Sequence, residues 1–160
     1  MAEQVKIKNP FKGKPGYQCF GCSPNNDKGL QLEFLETKEE LISRWQPKNY
    51  MQGYDHVLHG GIQSTLMDEI ASWTVYIKAK TAGVTARMNV SYHKPVYTNK
   101  GVITIHSKLV SIQKRFADIH TWIEDGEGRK CSEADIRYFI YPEKIAKAKL
   151  YYPGIEAFYE

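Results

Sequence analysis

The sequence holds no apolar run approaching the roughly 18 residues that a membrane-spanning helix needs. The residues after Met1 also lack the apolar stretch of a signal peptide. Those absences predict a chain that is neither inserted into nor sent across a membrane, and the expected location is the cytoplasm. Cysteine is scarce, three in 160 residues, and an odd number does not build the disulfide framework of a small secreted domain. Basic residues do not cluster either. Lys and Arg number 22 against 18 Asp and Glu, a net charge of +4 spread in doublets such as Lys114-Arg115 and Arg129-Lys130. Without a basic stripe no nucleic-acid partner is expected, whereas a mild positive field suits a small polyphosphate ligand. Cys19 and Cys22 form a lone CxxC. A tetrahedral zinc site needs two further ligands, and no second CxxC or HxxxH follows; His56 and His59 are the other candidates on paper. The pair runs into Pro24, Asn25 and Asn26, which is turn chemistry, while a redox CxxC usually opens a helix. It is therefore read as part of a turn, with no metal expected.

What the chain does have is length for one core and abundant aromatic residues. At 160 residues, with 42% hydrophobic and 25% charged, a single globular domain is expected, able to bury roughly two-thirds of its unfolded surface. Eleven tyrosines and three tryptophans favour a sheet-rich domain. Leu30, Leu32 and Phe34 alternate in strand fashion, and Leu41 to Gln46 is expected to pair with them across Lys38-Glu39-Glu40. Between 60 and 80 the period changes. Ile62, Leu66, Ile70, Trp73 and Ile77 form a helical stripe. Period two returns in Val84 to Tyr92, Gly101 to Ile112, Phe116 to Glu124 and Cys131 to Tyr141, with Asp125 to Gly128 as a hairpin connection. This order predicts an α+β domain: an irregular arm (1–27), a main domain (28–142) with four strands in meander after one helix, and a tail (143–160) containing a short helical piece.

The segment Gln52-Gly-Tyr-Asp-His-Val-Leu-His-Gly-Gly-Ile-Gln-Ser-Thr-Leu-Met-Asp-Glu69 resembles the helix-start motif of PaaI-like hotdog thioesterases: His-Gly-Gly, six residues, then an acid. Cys19-Phe-Gly-Cys22 with Gly29-Leu30 is similar to the N-terminal signature of one subgroup, and Thr85-Ala-Arg-Met-Asn-Val-Ser-Tyr-His-Lys-Pro95 to the strand after the helix. The resemblance spans roughly residues 17–142. It implies a hotdog fold, a curved antiparallel sheet wrapped around one long central helix, acting as an acyl-CoA thioesterase. It also implies a homodimer or dimer of dimers, joined through antiparallel Val84 to Tyr92 strands. Coenzyme A enters as part of the substrate, and no separate cofactor is expected.

The chemistry of these residues suits thioester hydrolysis. Unpaired N–H groups at a helix start are donors for a developing oxyanion, and Gly60 lets a thioester approach the backbone. Two turns on, Asp68 supplies a carboxylate, as general base or as nucleophile. The resemblance gives those roles to Gly60 and Asp68, with Thr85 across the dimer interface as a helper for water. His59, counted with Gly60, Asp68 and Thr85 in the catalytic set, is expected to hydrogen-bond nearby backbone in preference to transferring a proton. Gly61, Gln52, His56 and Arg87 are the candidate substrate contacts. On a helical wheel Asp68 lies opposite the Leu66–Trp73 stripe and Glu69 beside its edge, so Asp68 becomes a site residue only if that face is covered. Many relatives carry Asn or Asp six residues before the motif histidine, where this chain has Gly53; Gln52, Asp55 and His56 are the candidate substitutes. Two other readings stand beside this one: a hotdog dehydratase or hydratase using His56 and Glu69, and a non-catalytic acyl-CoA-binding protein.

Overall fold

In the computed structural model, which describes residues 3–159, the apolar stripe of residues 60–80 is indeed a helix. The α-helix α1 (Gly60–Thr74) runs on into a π-helical turn (Val75–Ala79) that ends at Lys80 in the left-handed conformation, φ 57°. Leu66, Ile70, Trp73 and Ile77 of the stripe are buried and Ile62 is half-buried. Burying such a stripe needs a cover on one side. The cover is a seven-stranded antiparallel sheet in the order β1-β2-β3-β5-β6-β7-β4. Its strands are β1 (Val5–Lys6), β2 (Leu35–Glu36), β3 (Leu41–Trp45), β4 (Gly83–Tyr92), β5 (Ile103–Gln113), β6 (Phe116–Glu124) and β7 (Lys130–Ile140). Alternate residues of β5, β6 and β7 face α1: Ile103, Ile105, Ile119, Ile123, Ala134, Ile136 and Tyr138 are all buried. The expected α+β class, with one long helix against an antiparallel sheet, is what the chain adopts.

The strands after the helix do not form the four-strand meander that their order suggested. β5, β6 and β7 pair in sequence, but β4 pairs with β7 at the far edge and β5 returns beside β3. Alternation fixes which face of a strand is buried, while neighbours are chosen by how α1 carries the chain across the sheet. As a result β4 is an edge strand, and none of its ten residues is buried.

The N-terminal half differs in a second respect. Leu30, Leu32 and Phe34 alternate inward as expected and are buried. Regular pairing, however, is confined to Leu35–Glu36 against Leu41–Ile42. The arm takes the backbone bonds instead. The N–H groups of Leu30 and Leu32 donate to the carbonyls of Phe20 and Gly21, and Ile7 N–H donates to Phe34. The arm also contributes β1 to the sheet.

Trp73 joins arm, helix and tail. It is 1% exposed, stacks on Phe34 at 4.6 Å, and meets Phe11 at 6.3 Å and Phe158 at 5.5 Å edge-on. The tail reaches this cluster through α2 (Glu143–Lys149) and a 3-10 turn (Ile155–Phe158), and Lys8 N–H donates to the Phe158 carbonyl at 2.8 Å. Phe158, fully buried, is therefore a core residue. Phe158→Ala is expected to lower unfolding stability by about 3–5 kcal/mol, read as a lower denaturant midpoint. A tail lying loosely on the surface would move it by less than about 0.5 kcal/mol.

Candidate active site

The chain reaches α1 through a tight loop. Gly53 N–H donates to Val57, Leu58 N–H to Val96, and His59 N–H to Met51. Gln52 Oε1 accepts from the N–H of His56 at 2.9 Å. These bonds fix His59 as the N-cap of α1, with its Nδ1 accepting the Gly61 N–H at 2.9 Å. The hydrogen bond to nearby backbone expected of His59 is present. That bond also divides the two glycines. Gly61 has its N–H occupied, and Gln63 N–H returns to the His59 carbonyl. The N–H of Gly60 has no hydrogen-bond partner among the described residues, so Gly60 offers the donor that a helix start leaves open.

Eight residues along, on the same face of α1, stands Asp68. Its Oδ1 accepts from Thr85 Oγ1 at 2.9 Å and lies 2.7 Å from the Tyr138 hydroxyl, which also approaches the Asp68 carbonyl at 2.8 Å. Oδ2 receives no hydrogen bond among the described residues. Two hydroxyls on one oxygen orient the carboxylate, while the other oxygen has no partner among the described residues. Tyr138 is 2% exposed, and burial holds its phenol well above its usual pKa, so it serves Asp68 as a neutral donor. The same helix face carries Ser64, whose hydroxyl meets Tyr92 at 2.7 Å, and Tyr92 in turn donates to the Gly60 carbonyl at 2.7 Å. Thus both ends of edge strand β4 are tied to this face of α1.

Thr85, expected as a helper for water across a dimer interface, bonds Asp68. The contact lies within one chain, because β4 follows α1 and folds back over its polar face. Tyr138 and Tyr92 were not singled out in the sequence; the only signal for Tyr138 was its place on the inward face of the last strand. Gln52, Gly61 and His59 line a shallow depression of about 410 Å³ beside the helix start, with Tyr50, Met51, Ile62 and Thr65. His56 is exposed on the loop with φ 60°. Arg87 is not brought to this site within the chain. It follows the bulge after Thr85, pairs with Arg137, and borders a cavity with Asp118 and Asp135 on the face of the sheet turned away from α1. Glu69 turns from Asp68 toward the arm, held by Trp73 Nε1 at 3.1 Å and lying beside Cys19. His56 and Glu69 are therefore not a pair, as a hydratase would require: thirteen residues separate them, and most of that span is the rising helix. The two histidines are not partners of the cysteines either.

Residues 55–132 match a profile of the Thioesterase superfamily. The fold, one long helix against an antiparallel sheet, is the hotdog fold. A curated relative from Saccharolobus solfataricus, provisionally named an esterase, is 27% identical over 123 residues, 76% of this chain and 80% of its own. A solved structure from Streptococcus pneumoniae, described as a hypothetical thioesterase with coenzyme A, is similar with a TM-score of 0.61. It is 24% identical, over 66% of this chain and 80% of that one. A further thioesterase superfamily protein is similar at TM-score 0.64 and 19% identity over 70% of this chain, which spans only 55% of that protein's length. Within this hotdog the matched segment carries α1 and the strand bearing Thr85. No helix among the described residues is long and apolar enough to cross a membrane.

The cap can be tested alone. His59→Ala should cost about 1 kcal/mol of stability, and His59→Asn, whose side chain also accepts from the first turn, should restore most of it. Equal losses from both in denaturant unfolding would mean that the imidazole is held there for something other than capping.

Proposed function

We propose that this chain is an acyl-CoA thioesterase of the PaaI-like branch, hydrolysing its substrate at sites shared between two subunits. The observation that carries this reading is the half-saturated carboxylate of Asp68: one oxygen fixed by Thr85 and Tyr138, the other without a partner. A base so held takes a proton from water at Oδ2. The resulting hydroxide adds to the thioester carbon, and the Gly60 N–H receives the oxyanion. Collapse of the adduct breaks the C–S bond. Coenzyme A leaves as a thiol with the proton, and the acyl group leaves as the acid. The coenzyme A found with the pneumococcal hotdog protein supports the choice of thiol. Gln52, His56 and Gly61, around the helix start, are the proposed contacts to substrate.

One chain does not complete this arrangement. Gly60 and Asp68 are eight residues apart, about 12 Å along the helix axis. A water hydrogen-bonded to the carboxylate, attacking a carbonyl hydrogen-bonded to the N–H, reaches about 10 Å only when stretched straight, since each of its three links is about 3 Å. The exposed edge β4 supplies the remedy. Val84 and Tyr92 are 45% and 51% exposed, and a long open edge is a template for pairing. Two β4 strands joined antiparallel about a two-fold axis set two α1 helices side by side and antiparallel. Gly60 of one subunit then faces Asp68 and Thr85 of the other. This replaces the expectation that Thr85 reaches across the interface: Thr85 stays with its own Asp68, and Gly60 crosses.

A thiol-release assay over a panel of acyl-CoA esters is expected to show turnover. Asp68→Asn should lower kcat at least ~100-fold with little change in KM. Thr85→Ala and Tyr138→Phe should each give a smaller loss in kcat. Hydration of enoyl-CoA without thiol release, saturable binding without turnover, or an unimpaired Asp68→Asn would each contradict the reading.

A further inference from the structure

The arm and the central helix meet at a cluster that the thioesterase reading does not use. Cys19 Sγ lies 3.6 and 3.7 Å from the two carboxylate oxygens of Glu69, and Cys22 Sγ lies 3.1 Å from Cys19 Sγ. One ligand atom from each of the three residues falls within 4.8 Å of the others. In sequence the third member is 50 positions away from Cys19, which is why the CxxC alone read as a turn.

Three features of this cluster suit a cation. The first is charge. Two thiols and a carboxyl converge below the surface, and Glu69 makes no ion pair with any Lys, Arg or His among the described residues. The second is space made on purpose. A Cβ on Gly21 would stand 2.3 Å from Glu69 Oε1 and 2.5 Å from its Cγ, so the glycine inside the CxxC is what admits the carboxylate. The third is dimension. A tetrahedral ion with bonds of about 2.3 Å to sulfur and about 2.0 Å to oxygen puts sulfur and oxygen about 3.5 Å apart, close to the Cys19–Glu69 distances. Two sulfurs on such an ion stand about 3.8 Å apart, so the thiols would separate by about 0.7 Å. A disulfide would bring them to about 2.05 Å and leave the buried carboxylate without a partner for its charge.

We propose that Cys19, Cys22 and Glu69 bind a thiophilic divalent cation of the zinc class, which staples the N-terminal arm to α1 one residue beyond Asp68. The outer contacts fit a ligand set. Trp73 Nε1 orients the second carboxylate oxygen at 3.1 Å, and the Tyr17 hydroxyl lies 2.9 Å from Cys22 Sγ, with Asn9 Nδ2 donating to that hydroxyl at 3.3 Å. Such outer contacts fix the ligands in place. Cys22 and Trp73 also border a cleft of about 520 Å³ between the arm and residues 31–34. Binding would need both thiols and the carboxyl deprotonated, and its free energy would add to folding.

The test uses the untagged full chain, stripped of metal under reducing conditions and titrated with Co²⁺. The expected result is one ion per chain, with a thiolate-to-cobalt charge-transfer band, a raised Tm, and displacement by Zn²⁺. Cys19→Ser should lose the band, and Glu69→Gln should weaken Co²⁺ binding at least tenfold; far-ultraviolet circular dichroism and gel filtration establish that each variant is folded. Folded wild-type protein that takes up no Co²⁺ would overturn the proposal. So would uptake that both variants leave unchanged, or a Cys19–Cys22 disulfide formed readily with a low-molecular-weight disulfide in a chain that binds no metal. None of these readouts depends on thioester turnover.

Discussion

The Asp68 carboxylate, hydrogen-bonded through one oxygen to Thr85 on β4 and Tyr138 on β7, ties the polar face of the central helix to the last two strands of the sheet. Much else depends on that tie. It draws the helix face that carries no apolar stripe toward the open edge of the sheet, where a lone amphipathic helix would have left it to solvent. It holds an acid between two hydroxyl donors, with no cation paired to it among the described residues. And by binding one oxygen it leaves the other without a partner among the described residues. Tyr92 repeats the device at the helix start, bridging Ser64 and Gly60.

Because β4 covers this face from the outside of the sheet, its own outer edge is left open. The strand is ten residues long with no residue buried, a liability that proteins usually blunt with charge, proline or a partner. Here the bulge after Thr85 and the charge of Arg87 lie midway. The spacing of donor and acid along one helix gives the same edge a use in the proposed chemistry. In that proposal an isolated chain carries one half-site at the start of α1 and the other midway along it, and pairing through β4 would join the halves.

Much of this was legible in the residues. The stripe from Ile62 to Ile77 gave the helix, and the period-two segments gave β5, β6 and β7 nearly to their ends. The motif around His59, Gly60, Gly61 and Asp68 marked the start of the helix and the residues proposed for the site, and an expected backbone hydrogen bond from His59 is present as the helix cap. Three things were not legible, each because it depends on contacts far apart in sequence. The place of β4 at the far edge is set by the crossing of the helix and not by any pattern within Val84 to Tyr92. The side from which Thr85 approaches Asp68 depends on that placement. The partnership of Glu69 with Cys19 and Cys22 needs the arm folded onto the helix, and nothing in the CxxC names its third member. Arg87 shows the opposite failure: its position in a recognised strand suggested a role, but the bulge turns it to the other face.

The proposal that each site draws Gly60 from one subunit and Asp68 from the other is tested most directly by mixing two inactive variants. Gly60→Pro removes the single N–H in question at the first position of a helix, where proline is well accepted, and His59 already has the extended conformation (φ −56°, ψ 135°) that proline requires of its predecessor. Asp68→Asn removes the base. Unfolded together and refolded as a one-to-one mixture, the two should recover roughly a quarter of wild-type activity. Half of the dimers are then mixed, and each mixed dimer has one intact site and one doubly impaired site. If Gly60 and Asp68 of the same chain act together, every site in the mixture carries a lesion and activity stays at the level of the variants alone.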